Sequence, residues 1–244
     1  MRAGCAGSLL FGRVVLCDPS EARSDLGPFP LGSDRPKHRS VAALARRSIV
    51  SLMTRSDEIL PARGGFSDVD ADPPQVARLI ANMDAGDSHP AVVALRAGVA
   101  DALLLEPGSQ VLDVGAGTGT AARQLVDRVA PGGRVVAMDS SAAMVAVAAE
   151  RGAGVTGFEA KVGDATAIPE PDSSFDAYRS ERTYQWLLNP ETAIDEAWRV
   201  LRPGGRIAVI DSDWDTAVFD HPDLDLTRRL VGSRGPSPNG RIGR

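Results

Sequence analysis

The sequence predicts an α/β fold, a parallel sheet wrapped by helices, and three observations predict it. From residue 110 to residue 211, short apolar runs alternate with stretches of helical periodicity. The first run, Val111-Leu112-Asp113-Val114, passes into Gly115-Ala116-Gly117-Thr118-Gly119, a glycine-rich turn at the mouth of a helix. A second run ends in an acid, Asp139, which lies 20 residues beyond Gly119, the spacing of a strand–helix–strand unit.

The elements follow in order as strand 110–114, helix 119–129, strand 134–139, helix 141–151, strand 157–162, strand 175–179, helix 190–201 and strand 206–211. Right-handed crossovers between parallel strands give the order 3-2-1-4-5, with a ligand crevice across the carboxyl ends beside the first strand. Helix 190–201 is the most fully specified. Asn189 stands at its cap, Pro190 at its first position, and Ala193, Ile194, Ala197, Trp198 and Leu201 form one apolar stripe.

Ahead of the glycine turn, one helix runs from Pro73-Pro74 through Ala85 and a second from His89-Pro90 through Leu105. Val92, Leu95, Val99 and Leu103 of the second belong to a wide stripe that faces a core. Residues 1–65 differ from the rest, with Pro28, Pro30, Pro36 and Pro61, mixed charge and no alternation. Within them Val41, Leu44, Ala45, Ser48 and Leu52 keep helical spacing behind Ser40, alongside Arg46, Arg47 and Arg55. That segment reads as a basic amphipathic helix for a membrane surface or, preferably, as a short packed helix or loosely ordered extension. The expected organisation is an irregular or partly helical extension (1–65), helices that cover the site (66–109) and a ligand-binding core (110–244).

Composition bounds the function. With 244 residues, 43% hydrophobic and 24% charged, the chain can bury one substantial α/β core. A net charge of −5 gives no electrostatic footprint for a polyanion, so no nucleic-acid partner is expected. Cys5 and Cys17 are too few for a disulfide scaffold, and His38, His89 and His221 are scattered, so no metal site is expected. No apolar stretch reaches the 18 or so residues a spanning helix needs. Arg13 interrupts the apolar segment 8–17, which argues against a secretory signal, and the expected location is cytoplasmic, without stable membrane association.

The glycine spacing narrows the ligand. A dinucleotide site wants G-x-G-x-x-G, but position 120 is Thr120 and glycine falls at Gly119. An acid two residues before the first glycine sits badly beside a pyrophosphate, whereas Asp113 suits a ligand whose nearest group is cationic. This pattern resembles the first motif of class I S-adenosylmethionine-dependent methyltransferases, whose sheet is Rossmann-like. The resemblance implies that Asp113 helps hold the ligand's amino group while the turn of Gly115, Gly117 and Gly119 passes under its methionine part.

Further along, Asp139, followed by Ser140, stands where a carboxylate meets ribose hydroxyls. Its alternative reading is an acid at the start of the next helix. Lys161-Val162-Gly163-Asp164-Ala165-Thr166 is a strand end running into an acid, and the resemblance implies that Asp164 and the backbone N–H of Ala165 recognise adenine. The run from Ser174 to Ser180 resembles the fourth strand, with the Ser180 backbone toward the methionine part. Arg199-Val200-Leu201-Arg202-Pro203-Gly204-Gly205 resembles the helix–turn–strand signature of the small-molecule "type 11" or quinone-biosynthesis-like subgroup. Together the matches cover residues 110–211.

Two departures stand out. No tyrosine lies between residues 66 and 110, where the resembled enzymes often use one to cover the cofactor. The resembled fold also adds a helix and an antiparallel ribbon after strand five, yet only 33 residues follow Asp211 and the stretch from Ser233 to Gly240 is turn chemistry. The expectation is therefore a missing C-terminal ribbon and an unprotected strand 206–211. Residues 1–65 would cover that edge, a second copy would pair there as a homodimer, or it would remain a liability.

Methyl transfer from a sulfonium needs no covalent intermediate or metal, only an aligned acceptor about 3–3.5 Å from the methyl carbon. Candidates for the acceptor side after strand four are Glu181, Tyr184 and Trp186, although Tyr184 and Trp186 would equally pack under helix 190–201. After strand five, Asp213 lies in Asp211-Ser212-Asp213-Trp214-Asp215, which reads as a site for a cationic amine or as a solvated turn. The segment 180–183 lacks the Asn/Asp-Pro-Pro-aromatic grip of base-modifying relatives, which disfavours nucleic acid. The expected activity is methylation of a small organic acceptor at O, N or C, with S-adenosylmethionine as cofactor. Alternatives are a cofactor-binding protein without turnover and a nicotinamide-dependent oxidoreductase.

Overall fold

The architecture rests on strands whose side chains alternate between two separate cores. In the computed structural model, which describes residues 7–9, 12–17, 66, 69–71, 73–212 and 225, the chain opens with β1 (Gly7–Leu9) and β2 (Gly12–Cys17). A 3-10 turn at Val69–Ala71 precedes α1 (Pro73–Asp87) and α2 (Pro90–Ala102). Then come β3 (Gln110–Val114), α3 (Thr120–Val129), β4 (Arg134–Asp139), α4 (Ala142–Arg151), β5 (Phe158–Val162), β6 (Phe175–Glu181), α5 (Pro190–Val200) and β7 (Leu201–Asp211).

The seven strands form one sheet in the order β1-β2-β7-β6-β3-β4-β5. Its five parallel strands have the expected 3-2-1-4-5 order, with β3 pairing β4 on one side and β6 on the other. Leu112, Val114, Tyr178 and Val209 face α5. Val111, Ala177, Ala208 and Ile210 point the other way, against α2 and α3. A one-residue slip would exchange these sets, so burial on both faces fixes the register.

Local chemistry sets the helix starts. The Nδ1 atom of His89 accepts the Ala91 N–H at 3.2 Å ahead of Pro90 at the first position of α2. Ser141 caps α4 by accepting the Met144 N–H at 3.1 Å. Asp70, from the turn before α1, accepts the N–H groups of Ala142 and Ala143 at 2.8 and 3.3 Å and also binds the Ser141 hydroxyl. A carboxylate at a helix N-terminus stabilises the exposed N–H groups and dipole end there. Asn189 precedes α5, but its side chain makes no capping bond.

Of the alternatives for the edge at strand 206–211, the structure shows the first, cover by residues within 1–65. Strand β2 runs antiparallel along β7, from Arg13 opposite Asp211 to Cys17 opposite Ile207, and β1 pairs in turn with β2. The backbone groups of β7 that would face water, or a second copy, are thus paired within the chain, by residues near its N-terminus rather than its C-terminus. The helix considered within residues 40–55, the one at 223–232 and Asp213 lie outside the described residues. Among the described residues, no helix is long and apolar enough to cross a membrane.

The β7 pairing generates a direct expectation. In a dilute monomer, the β7 amides that point toward β2 exchange hydrogen as slowly as those of β3. Removing residues 1–17 speeds their exchange at least tenfold and leaves β3 protected. Fast exchange at those amides in the intact chain would show that β2 does not cover the edge.

Candidate functional site

At the carboxyl end of β3 the chain turns on two residues held in left-handed conformations, Gly115 at φ +70° and Gly117 at φ +54°. A side chain at 115 would overlap Thr183, and one at 117 would overlap the end of Met83 from α1. Only glycine meets both the backbone angle and the close approach. The N–H groups of Gly115 and Ala116 donate to the Met138 carbonyl at 2.8 and 3.0 Å, which ties the turn to the end of β4. Gly119 closes the turn as the residue preceding α3.

Asp139 stands beside this turn. Its Oδ2 accepts the Gly117 N–H at 2.8 Å and its Oδ1 accepts the Ser141 N–H at 2.9 Å. Burial raises its carboxyl above the ordinary range against the pull of these backbone donors. Asp139 thus organises the start of α4, the alternative reading made from the sequence, and each oxygen keeps a second lone pair. Ser140 is exposed next to it.

The Gly163 N–H donates to the Asp139 carbonyl at 3.0 Å, which draws the loop after β5 alongside. In that loop Asp164 is exposed, its Oδ1 accepting the Thr166 N–H and hydroxyl at 2.7 and 2.8 Å, while Ala165 is buried. The fully buried Ser180 hydroxyl donates to the Val114 carbonyl at 2.9 Å. The glycine turn, Asp139, Asp164 and Ser180 therefore gather at one end of the sheet.

Against this end lies a chain of buried charge. Arg179 Nη1 donates to Asp113 Oδ1 at 2.8 Å, and its Nη2 binds Glu181. Arg96 from α2 donates to Glu181 through Nε at 2.8 Å and Nη2 at 2.9 Å, and Nη2 also reaches Asp87 at 2.7 Å. Arg182 completes the set, 3.1 Å from Glu181 and 3.4 Å from Asp87. Burial alone would raise the Glu181 carboxyl, but Arg96, Arg179 and Arg182 bring it down to about 2. Burial raises the Asp113 carboxyl, with Arg179 opposing.

These surroundings decide the acceptor-side candidates. Glu181 is a permanent anion fully engaged by arginines, which suits an ion pair and not a proton acceptor near neutrality. Tyr184 is wholly buried with its hydroxyl 2.9 Å from that of Tyr178, so it packs in the core and does not face an acceptor. Trp186 is half-buried and tilted 57° against Phe66 at 5.7 Å. Asp87 and Arg96 escaped the sequence reading. A lone arginine inside the apolar stripe of residues 90–105 was the available signal, because a cation on a core-facing stripe requires a buried partner. Among the described residues, no group of His, Cys, Asp and Glu could hold a metal ion.

Asp211, at the end of β7, is 4% exposed and neither carboxylate oxygen reaches a hydrogen bond of ordinary geometry. Burial pushes its pKa up to about 8, with the backbone N–H groups of Gln185 and Tyr184 the main opposing influence. A raised pKa in the folded state means the unfolded chain ionises first. The associated stability is complete below about pH 4 and is lost as pH rises toward 8. Asp211→Asn should therefore gain on the order of 5 kcal/mol over the parent at pH 8, with little difference at pH 4. Urea denaturation at the two pH values checks this, and an equal gain or loss at both would contradict it.

Comparison with known proteins bears on this site directly. A family profile described as "Methyltransferase domain" matches residues 112–209, the segment that carries the glycine turn, Asp139, Asp164 and the arginine–glutamate chain of β6. An "Uncharacterized 37.1 kDa protein in transposon TN4556" from Streptomyces fradiae is 40% identical over 149 residues, covering 61% of this chain and 41% of that protein. A "Demethylmenaquinone methyltransferase" from Clavibacter sepedonicus is 38% identical over 122 residues, covering 50% of this chain and 46% of that protein. The chain thus spans less than half the length of these two relatives. A solved structure of a "SAM dependent methyltransferase from Aquifex aeolicus" aligns with TM-score 0.51 and 26% identity, over 70% of this chain and 81% of that one. The sheet order and the glycine turn are those of a Rossmann-like methyltransferase fold, and residues 112–209 are similar to the methyltransferase domain of S-adenosylmethionine-dependent enzymes.

Proposed function

We propose that the chain transfers the methyl group of S-adenosylmethionine to a small organic acceptor by direct in-line displacement. The observation that carries this reading is the gathering of the glycine turn, Asp139 and the Asp164 loop at the carboxyl ends of three adjacent strands. The residues fit the cofactor by their chemistry. Asp139 offers two carboxylate oxygens to a ribose diol, Gly115, Gly117 and Gly119 allow close approach, and Asp113 retains a buried oxygen without a partner among the described residues. Ser140, Asp164, Ala165 and Ser180 complete the set proposed to hold it. When bound, the sulfonium supplies an activated methyl group, and the chain's own task is alignment and exclusion of water.

No base is assigned. Glu181 is held as an anion in its ion pairs, which does not suit it to take a proton from the acceptor. The demethylmenaquinone methyltransferase supports a small organic acceptor. A net charge of −5 gives no whole-chain attraction to a nucleic acid. Incubation with methyl-labelled S-adenosylmethionine and a panel of quinols, phenols, amines and carboxylic acids should release S-adenosylhomocysteine with at least one member. Release with none of them would leave binding without turnover as the better reading.

Two substitutions test the binding geometry. Asp139→Ala should weaken S-adenosylhomocysteine binding by about 1.5–3 kcal/mol, the scale of hydrogen bonds to a charged group. Unchanged affinity by calorimetry would show that the carboxylate does not meet the ribose. Gly117→Val should weaken binding at least a hundredfold, because its side chain enters the crevice from a left-handed backbone position where β-branched residues are strained. Full binding by that variant would place the ligand elsewhere.

A further inference from the structure

We propose that Asp211 is the proton acceptor of the methyl transfer, the group that takes an O–H or N–H proton from the molecule being methylated. The inference rests on the cofactor reading above and deepens it, because it names the missing base and, with it, a protonated class of acceptor. What carries it is a buried carboxyl that the fold does not pair. Asp211 is 4% exposed, and neither oxygen makes a hydrogen bond of ordinary geometry among the described residues. A buried polar group in that condition costs stability instead of supplying it. By contrast, the carboxylates of Asp87, Asp113 and Glu181 are all paired with arginine.

Its place in the fold brings it to the reaction. Asp211 ends β7, one residue beyond Ile210, which pairs with Glu181 at the carboxyl end of β6. The turn after β6 bridges Asp211 and the glycine turn. Thr183 lies against Gly115, its hydroxyl 3.4 Å from the Val114 carbonyl. The next two residues, Tyr184 and Gln185, turn their backbone N–H groups toward the Asp211 carboxylate. The Arg182 N–H fastens this turn to the Ile210 carbonyl at 2.7 Å. Consecutive Cα atoms stand about 3.8 Å apart, so the carboxyl and the glycine turn flank one short stretch of backbone.

The groups around Asp211 leave it able to gain and lose a proton. Arg182 favours its anion and Glu181 opposes it. Tyr184, whose hydroxyl meets that of Tyr178, is held uncharged by burial, and Arg13 stands opposite in the register of β2. Burial dominates and sets the pKa at about 8. A base works best when its pKa lies near the working pH, a condition that Glu181, at about 2, does not meet.

The proton count closes with this residue. The acceptor's electron pair forms the bond to the methyl carbon, and the pair of the carbon–sulfur bond leaves on sulfur. The acceptor's proton passes to the Asp211 carboxylate and from there to water. Carboxylate and sulfonium charge disappear together, a change that a site closed to water favours.

Proton release on cofactor binding tests the placement without any acceptor. The sulfonium of S-adenosylmethionine is a cation that S-adenosylhomocysteine lacks, and a nearby cation draws a carboxyl toward its anion. Calorimetry at pH 7 in buffers of different ionisation enthalpy should show the wild-type chain releasing about half a proton or more beyond that released with S-adenosylhomocysteine. Asp211→Asn should abolish the difference. That variant folds at least as well as the parent on the stability argument above, so a loss of turnover is not a loss of structure. With a phenol or amine that the wild-type chain methylates, it should lose at least a hundredfold in kcat.

Equal proton release with the two ligands, a difference that survives Asp211→Asn, or turnover by that variant within threefold of wild type would each overturn the assignment. So would a chain that methylates only carboxylic acids, which are ionised without help. A wild-type chain that binds neither ligand would instead remove the cofactor reading, and this inference with it.

Discussion

Asp113 carries a carboxylate into the middle of a parallel sheet, and the arrangement of the site follows from how that charge is kept there. Taking an ion out of water costs several kcal/mol, and the cost is offset only by close pairing. Arg179, two strand positions from Glu181, supplies the pair, and the pair in turn needs Arg96 from α2. One carboxylate therefore determines where α2 sits relative to β3 and β6. Losing a single member strands its partners, which for buried pairs costs roughly 3–5 kcal/mol. The helices ahead of the sheet are thus fastened over the glycine turn by charge as well as by apolar packing.

The opposite face of the sheet is built differently. There Tyr178, Tyr184, Ile194 and Val209 pack with α5 in an apolar cluster. An apolar core on one face, and on the other an apolar core joined by the charged junction, frame the carboxyl ends of β3 and β6. Arg182 marks the join. It holds φ +57°, its N–H donates to the Ile210 carbonyl at 2.7 Å, and its guanidinium reaches back to Asp87 and Glu181. Left-handed backbone at a non-glycine residue is maintained only where surrounding bonds over-determine it, and such residues cluster at functional sites.

What could be read from the residues was local. The glycine turn, the acid that ends β4 and the apolar stripe of α5 are patterns confined to short stretches, and the sheet order follows from their alternation. What escaped was non-local. Nothing within residues 12–17 announces β7 as their partner, and Arg13 in an apolar run reads as an interruption until the antiparallel register is seen. Arg96 and Glu181 are 85 positions apart, so their pairing appears only in three dimensions. Tyr184 shows the limit from the other side: proximity to the site in sequence said nothing about which way the ring points.

The account stands on one claim, that the crevice between the glycine turn and Asp139 retains the adenosyl sulfonium. Equilibrium dialysis of the folded chain against radiolabelled S-adenosylmethionine measures it most directly. The account predicts saturable retention approaching one molecule per chain, displaced by unlabelled S-adenosylhomocysteine and unaffected by NADH. Folded protein that retains no label, or label that NADH displaces, would contradict it.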